Sequence, residues 1–181
     1  FSNCSALETV VIPDSVISSG RAAFASCDNV KLTLYTGTEE QWAALNISGN
    51  TSRPGGVVVY EYDDTKDYAD SGSCGENLTW YFYCDGTLKI SGTGAMTDYR
   101  YDYGSTAPWN KYRSLIKKIQ LNYGITTIGN YAFGLSSPEY YEIPESVVSI
   151  GERAGLYKNV IIHNRECEIY NSYRTINKNA T

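Results

Sequence analysis

Histidine is almost missing from this chain: one residue, His163, among 181. A serine or cysteine nucleophile needs a base within reach. Here the lone histidine and its nearest cysteine, Cys167, lie in a weakly patterned stretch. No C-x-x-C pair occurs among the five cysteines, which argues against a zinc site. Positive charge is scarce as well. Fifteen Lys and Arg against 20 Asp and Glu leave a formal charge of −5, and the sequence pI is near 4.9. Nucleic acids and anionic membranes call for clustered positive charge, so neither is an expected partner. No apolar run approaches the length of a membrane-spanning helix, about 18 residues, so no membrane insertion is expected. The glycine-rich run 91–95 lacks both the lysine of a P-loop and the dinucleotide spacing, and reads as a bend. Acidic pairs (Glu39 with Glu40, Asp63 with Asp64, Asp98 with Asp102) stand in no glycosidase or protease context. The reading is of a chain without catalytic residues, metal or cofactor. What it does have is tyrosine, 17 against 4 Phe, a residue suited to half-wet and binding surfaces.

One stretch is written three times. Ile143-Pro144-Glu145-Ser146-Val147-Val148-Ser149-Ile150-Gly151 repeats Ile12-Pro13-Asp14-Ser15-Val16-Ile17-Ser18-Ser19-Gly20, and Leu121 to Gly129 is a copy without the proline. Gly129 and Gly151 are 22 residues apart, Phe1 and Phe24 are 23 apart, and a fixed period of this length signals a solenoid. Apolar residues spaced by two (Val10 and Ile12, Ile119 and Leu121) share one face of a short strand. Pro13 and Pro144 stop the ladder, having no N–H to donate. Gly20, Gly129 and Gly151 are expected to supply a positive φ at the next turn. Phe24 and Phe133 then plug the interior, which one coil cannot bury without a neighbour.

The run I-P-[DE]-S-V-x-S-[IS]-G-x-x-A-[FG], with F-x-x-C-x-x-[LV] at 1–7 and 24–30, resembles BspA-like leucine-rich repeats. The segment at 35–42 is similar to one that often closes such an array, and 73–80 with 85–96 to one that commonly opens the next. The resemblance weakens in 46–62 and after 163. Ser19 and Gly155 depart from the pattern, where an apolar residue and Phe are usual, so those units are expected to be less tightly plugged. The resemblance implies a mainly β repeat fold of leucine-rich-repeat-like coils with short parallel strands, a β-hairpin cap and few short helices. It also implies a secreted or surface-attached, typically bacterial, protein linked to adhesion.

Along the chain, 1–62 reads as the end of one array. The capping-box pattern Thr38-Glu39-Glu40-Gln41 predicts a short closing helix at 39–45 with Trp42 and Leu45 inward, and 57–62 a strand. The acidic, aperiodic stretch 63–73 is the expected linker. Residues 74–112 form a cap: Leu78, Trp80 and Phe82 alternate on one strand, and Asp85-Gly86 signals a two-residue hairpin. An aromatic loop follows, and 113–181 is the second array, with the tail from Asn171 covering an end or fraying. The chain opens in the plug position of a repeat and is read as a piece of a longer protein. Cys4 and Cys27 share a repeat position as small buried side chains. Cys74 and Cys84 flank a strand too long for a direct bridge; pairing with Cys167 requires the fold to return the tail.

Function reads as binding, since stacked repeats present extended faces whose exposed positions vary freely. The candidate ligand-binding residues are Tyr99, Tyr101, Tyr103, Trp109 and Tyr112, large rings with polar tips and few rotamers. In an extended segment Tyr99, Tyr101 and Tyr103 share a side. Two readings stay open: a ligand patch, or, since Ala107-Pro108-Trp109 matches the family's A-P-W, an anchor holding the loop to the cap. The expected partner is a protein (host, matrix or bacterial surface), with a glycan as the alternative and a structural spacer as the third reading.

Overall fold

Thr9-Val10-Val11-Ile12 is β-branched throughout, and β-branched residues suit a half-buried pleated surface. In the computed structural model these residues form β1 (Thr9–Ile12). The structure describes residues 1–47, 53–102, 106–134, 136, 138, 141–155 and 160–170, so the tail from Asn171 lies outside the described residues. It divides into two units, Phe1–Asp70 and Ser71–Thr181.

In the first unit β1 is followed by β2 (Ser18–Ser19), β3 (Leu32–Tyr35), the helix α1 (Glu39–Ala44), β4 (Asn46–Ile47) and β5 (Val57–Val59). β1, β3 and β5 form one parallel sheet in that order, with Val10 opposite Thr33 and Thr33 opposite Val58. β2 pairs with β4, also parallel. All four residues of the central strand β3 are buried. Buried Thr33 is satisfied there by donating from Oγ1 to the Gly55 carbonyl at 3.0 Å, which avoids the penalty of an unpaired interior hydroxyl. Phe24, Val10, Cys27 and Val30 make the core, with Cys4, Leu7, Ile12 and Ala23 packed against it. Cys27 thus sits where its repeat position placed it. The capping box at Thr38 and Gln41 forms, burying Trp42 against Tyr35 at 5.0 Å; Leu45 is half-buried. The last strand stops at Val59 rather than running to 62, because Glu61 takes a φ of 52° that no ladder continues through.

Apart from Asp70, the first residue of β6 (Asp70–Gly75), the second unit holds that strand, β7 (Leu78–Phe82), β8 (Thr87–Gly92), β9 (Gly94–Ala95), a 3₁₀ helix (Pro108–Tyr112), β10 (Lys118–Leu121), β11 (Ile125–Ile128), β12 (Tyr141–Ile143), β13 (Ser149–Ile150), β14 (Val160–Ile162) and β15 (Glu168–Ile169). β7 and β8 are antiparallel, while β8 pairs parallel with β10. The hairpin therefore hands its pattern to the coils that follow. β9, β11, β13 and β15 form a four-stranded sheet whose neighbours are all parallel, and β12 pairs parallel with β14. Strands end at Ile12 and Ile143, directly before Pro13 and Pro144. Inward positions carry Leu78, Trp80, Phe82, Leu88, Ile90, Ile119, Ile128, Phe133 and Ile150.

Three details differ from expectation. The cap is not a lone hairpin: β6 joins β7, so a strand starts inside the stretch read as linker. The turn has three residues, not two. Tyr83 N–H donates to the Thr87 carbonyl, Gly86 N–H to Tyr83, and Gly86 has a φ of 87°, which is the type I turn closed by a left-handed glycine. Finally, Gly20, Gly129 and Gly151 do not take positive φ. The left-handed residue falls two positions later in every copy, at Ala22 (59°), Tyr131 (54°) and Arg153 (50°). Gly129 and Gly151 serve another purpose, close approach: a Cβ on Gly129 would lie 2.0 Å from the Thr97 carbonyl oxygen.

A left-handed non-glycine residue costs about 1–2 kcal/mol, and glycine adds about 0.4–1 kcal/mol of unfolded-state entropy. Ala22→Gly is therefore expected to stabilise the first unit by about 0.5–1 kcal/mol, read as a raised urea midpoint. An unchanged or lowered midpoint would contradict the strain.

Candidate binding surfaces

The aromatic loop does not stay together. Pro108 at the start of the 3₁₀ helix sends Trp109 inward, 1% exposed. Its indole Nε1 donates to the Ala132 carbonyl at 2.8 Å, and its ring meets Trp80 at 6.0 Å, Tyr99 at 5.4 Å and Phe133 at 5.7 Å. Tyr112 is fully buried and stacks on Phe82 at 4.1 Å with a 6° tilt. These two candidate ligand contacts are thus part of the interior, joining the cap strand to the following coil. Tyr99 is half-buried against Trp109, with its phenol oxygen buried and unpartnered, as is Trp80 Nε1. Burial, and next the Cys74 thiolate charge, push the Tyr99 phenol well above its ordinary range.

Tyr101 points the other way. It is 61% exposed, with its ring 6.2 Å from that of Tyr131. The Arg153 guanidinium stands over the Tyr131 ring at 5.9 Å and approaches Glu152 at 3.6 Å. Tyr99 and Tyr101 part company because Asn130 fixes the backbone at Tyr99, accepting its N–H at 2.9 Å. Arg100 then turns onto Thr106, each N–H accepted by the other residue. Tyr103 lies outside the described residues.

A second surface was not singled out from sequence. An open groove of about 800 Å³ is lined by Asp98, Thr127, Asn130, Ser149, Glu152 and Tyr170, among others. Asp98 Oδ1 accepts the Asn130 N–H at 2.8 Å, and Asn130 Oδ1 accepts the Glu152 N–H at 2.6 Å. Ser149 and Thr127, opposite one another on β13 and β11, bond through their hydroxyls at 3.1 Å. The available signal was the repeat itself, since Asn130 and Glu152 each follow the repeat glycine.

His163 Nε2 faces Glu142 Oε2 at 2.9 Å, while Cys167 is buried with Sγ 3.8 Å from the Glu168 carbonyl. Among the described residues no cluster of three or more His, Cys, Asp or Glu is placed to hold a metal ion. No helix among them is long and apolar enough to cross a membrane.

Burial pushes the Cys74 thiol up to about 12, against an ordinary value of about 8.5. Between those values the unfolded chain loses a proton that the folded one keeps, so stability is full below about pH 8.5 and falls as pH rises. Tyr99 adds to the same alkaline loss. The melting temperature of the chain is expected to drop progressively between about pH 8.5 and 10.5, with a shallower slope in Cys74→Ala. Identical slopes would rule out a buried thiol as the cause.

A family model described as the BspA type leucine rich repeat region matches residues 1–40 and 111–180, in 6 copies. Among solved structures the chain is similar to a leucine-rich repeat protein from Eubacterium ventriosum, at 29% identity and a TM-score of 0.50. That match covers 55% of this chain and 27% of the other, so the chain spans about a quarter of the length of that relative. Among curated proteins none matches.

Proposed function

We propose a binding role on one firm premise: this chain belongs to the BspA-type leucine-rich repeat family. Its coils are read as a solenoid whose parallel ladders form a rigid frame, and the module as non-catalytic, secreted or surface-exposed, and engaged in adhesion through a protein partner. The observation that supports this most is the Tyr101, Tyr131 and Arg153 patch. Tyrosine and arginine dominate the energetic centres of protein interfaces. Here the rings and guanidinium brace one another, which lowers the entropy lost on binding. Trp109 and Tyr112, buried among Trp80, Phe82 and Phe133, do not contact the ligand in this reading; Tyr103 stays a proposed contact.

The test is surface binding of the full chain to a panel of purified extracellular-matrix proteins and bacterial surface proteins. A saturable partner is expected, with Tyr101→Ala and Arg153→Ala each weakening it about ten-fold, or about 1.4 kcal/mol, at unchanged circular dichroism. Binding indifferent to both substitutions would displace the site from this patch. Silence across the panel with an intact fold would favour the spacer reading.

A further inference from the structure

Cys4 and Cys27 are 23 residues apart in the sequence, and the first unit pairs its coils at that same offset, Thr9 lying opposite Leu32. Contacts between the two coils bracket the cysteines on both sides. Asn3 N–H donates to the Ala25 carbonyl at 2.8 Å, Asn29 Nδ2 to the Ser5 carbonyl at 2.6 Å, and Lys31 N–H to the Glu8 carbonyl at 2.8 Å. Three residues before each cysteine, Phe1 stacks on Phe24 at 5.4 Å with a 9° tilt. Three residues after, Leu7 packs against the cluster that holds Val30. Both cysteines share that packing, Cys27 buried and Cys4 half-buried, and both are thiols in the structure. We propose that they are a redox latch: a disulfide formed between Cys4 and Cys27 by exchange with a small-molecule disulfide clamps the two coils in register.

The geometry meets the requirements of the bond. Parallel neighbours stand about 4.8 Å apart, inside the Cα separation of about 4.4–6.8 Å that a disulfide spans. Side chains at matching positions of adjacent parallel coils run side by side, so neither Cβ points away from the other. The Cys27 sulfur is already turned toward the coil of Cys4. It donates to the Phe1 carbonyl at 2.9 Å, the same oxygen that accepts the Cys4 N–H at 3.2 Å. Oxidation removes a weak S–H donor and leaves that carbonyl its N–H, so no buried polar group is orphaned. Cys4, the more exposed of the two, is the point of entry. Its thiolate attacks one sulfur of the small disulfide and releases the first thiol. The Cys27 thiolate then attacks the Cys4 sulfur and releases the second. Two protons and two electrons leave the protein, reducing one small disulfide to two thiols. Closing the chain between Cys4 and Cys27 restricts the unfolded state, which stabilises the folded one.

The test incubates the full chain in buffers of oxidised and reduced glutathione, quenches it with an alkylating agent and digests it with trypsin. Cleavage after Arg21 and Lys31 puts Cys4 in the peptide 1–21 and Cys27 in 22–31, so the bond shows as one linked mass that a reductant splits. That linked pair is expected to be the main disulfide of the folded chain and to lose that rank in unfolding urea. Oxidation is expected to raise a calorimetric transition by about 5–10 °C. Cys4→Ser is expected to abolish both the linked pair and the shift while melting like the reduced chain. Cys27→Ala, which keeps the site apolar, is expected to abolish them too. Three outcomes would overturn the proposal: both peptides unlinked at every glutathione ratio, linkage mainly to Cys74, Cys84 or Cys167, or oxidation that leaves melting unchanged or lower. The Tyr101 patch takes no part in this test, so either result leaves the protein-binding reading as it stands.

Discussion

Trp109→Ala is expected to cost the second unit about 4 kcal/mol, the largest effect of any single substitution considered. Three terms combine. The indole is 1% exposed, so its whole apolar surface is lost from the interior. Its ring contacts with Trp80, Tyr99 and Phe133 go at once, leaving a cavity between cap strand and coil. The Ala132 carbonyl also loses the indole N–H. Trp109→Phe keeps most of the ring and isolates the hydrogen bond, at about 1 kcal/mol plus any residual cavity. Urea unfolding followed by far-ultraviolet circular dichroism reads both. A loss below about 1 kcal/mol for the alanine variant would mean that the ring cluster does not hold cap and coils together.

Gly129→Ala comes second, at about 3 kcal/mol. The added methyl would sit 2.0 Å from the Thr97 carbonyl oxygen and 2.7 Å from its carbon, both backbone atoms of the adjoining coil. Backbone cannot swing aside as a long side chain does, so the coils must separate. Gly151→Ala meets Asn130 at 2.5–2.9 Å and is expected to behave similarly. Gly20 is the internal control. It occupies the same repeat position, but a methyl added there would have nothing within 4 Å, so Gly20→Ala is expected to be neutral or to stabilise by up to about 1 kcal/mol. Thermal melts of the three variants decide it. Equal shifts at all three positions would mean that the glycines are kept for conformation and not for approach.

The contrast shows where local reading succeeds. The family resemblance implied short parallel strands, and the strands pair in that sense, with Thr9 opposite Leu32 and Thr127 opposite Ser149. Proline stops, the capping box and the inward alternation of Leu78, Trp80 and Phe82 were legible because each is set by a residue and its near neighbours. β6 was not. Asp-Ser-Gly-Ser-Cys-Gly has no apolar alternation, and it is a strand because the edge of β7 offers a ladder. The reason for the glycines was misread too, since positive φ and close approach favour the same residue and only neighbouring backbone separates them.

Of the candidate site, the segment carrying the aromatic residues was legible and their fates were not. Trp109 and Tyr112 entered the core because Trp80, Phe82 and Phe133 present rings to them, from positions distant in the chain. Tyr101 remained outside, its ring meeting that of Tyr131 at the surface. The groove ladder was invisible for a related reason: Asp98, Asn130 and Glu152 become neighbours only once the coils are in register.

Period, the proline stops and the acidic, histidine-poor composition belong to this protein's sequence alone, because each follows from residue types at short spacing. Which tyrosine faces solvent, which glycine touches backbone and where polar groups line up were decided by the tertiary structure. They depend on distances between coils, and those distances exist only after the interior has closed.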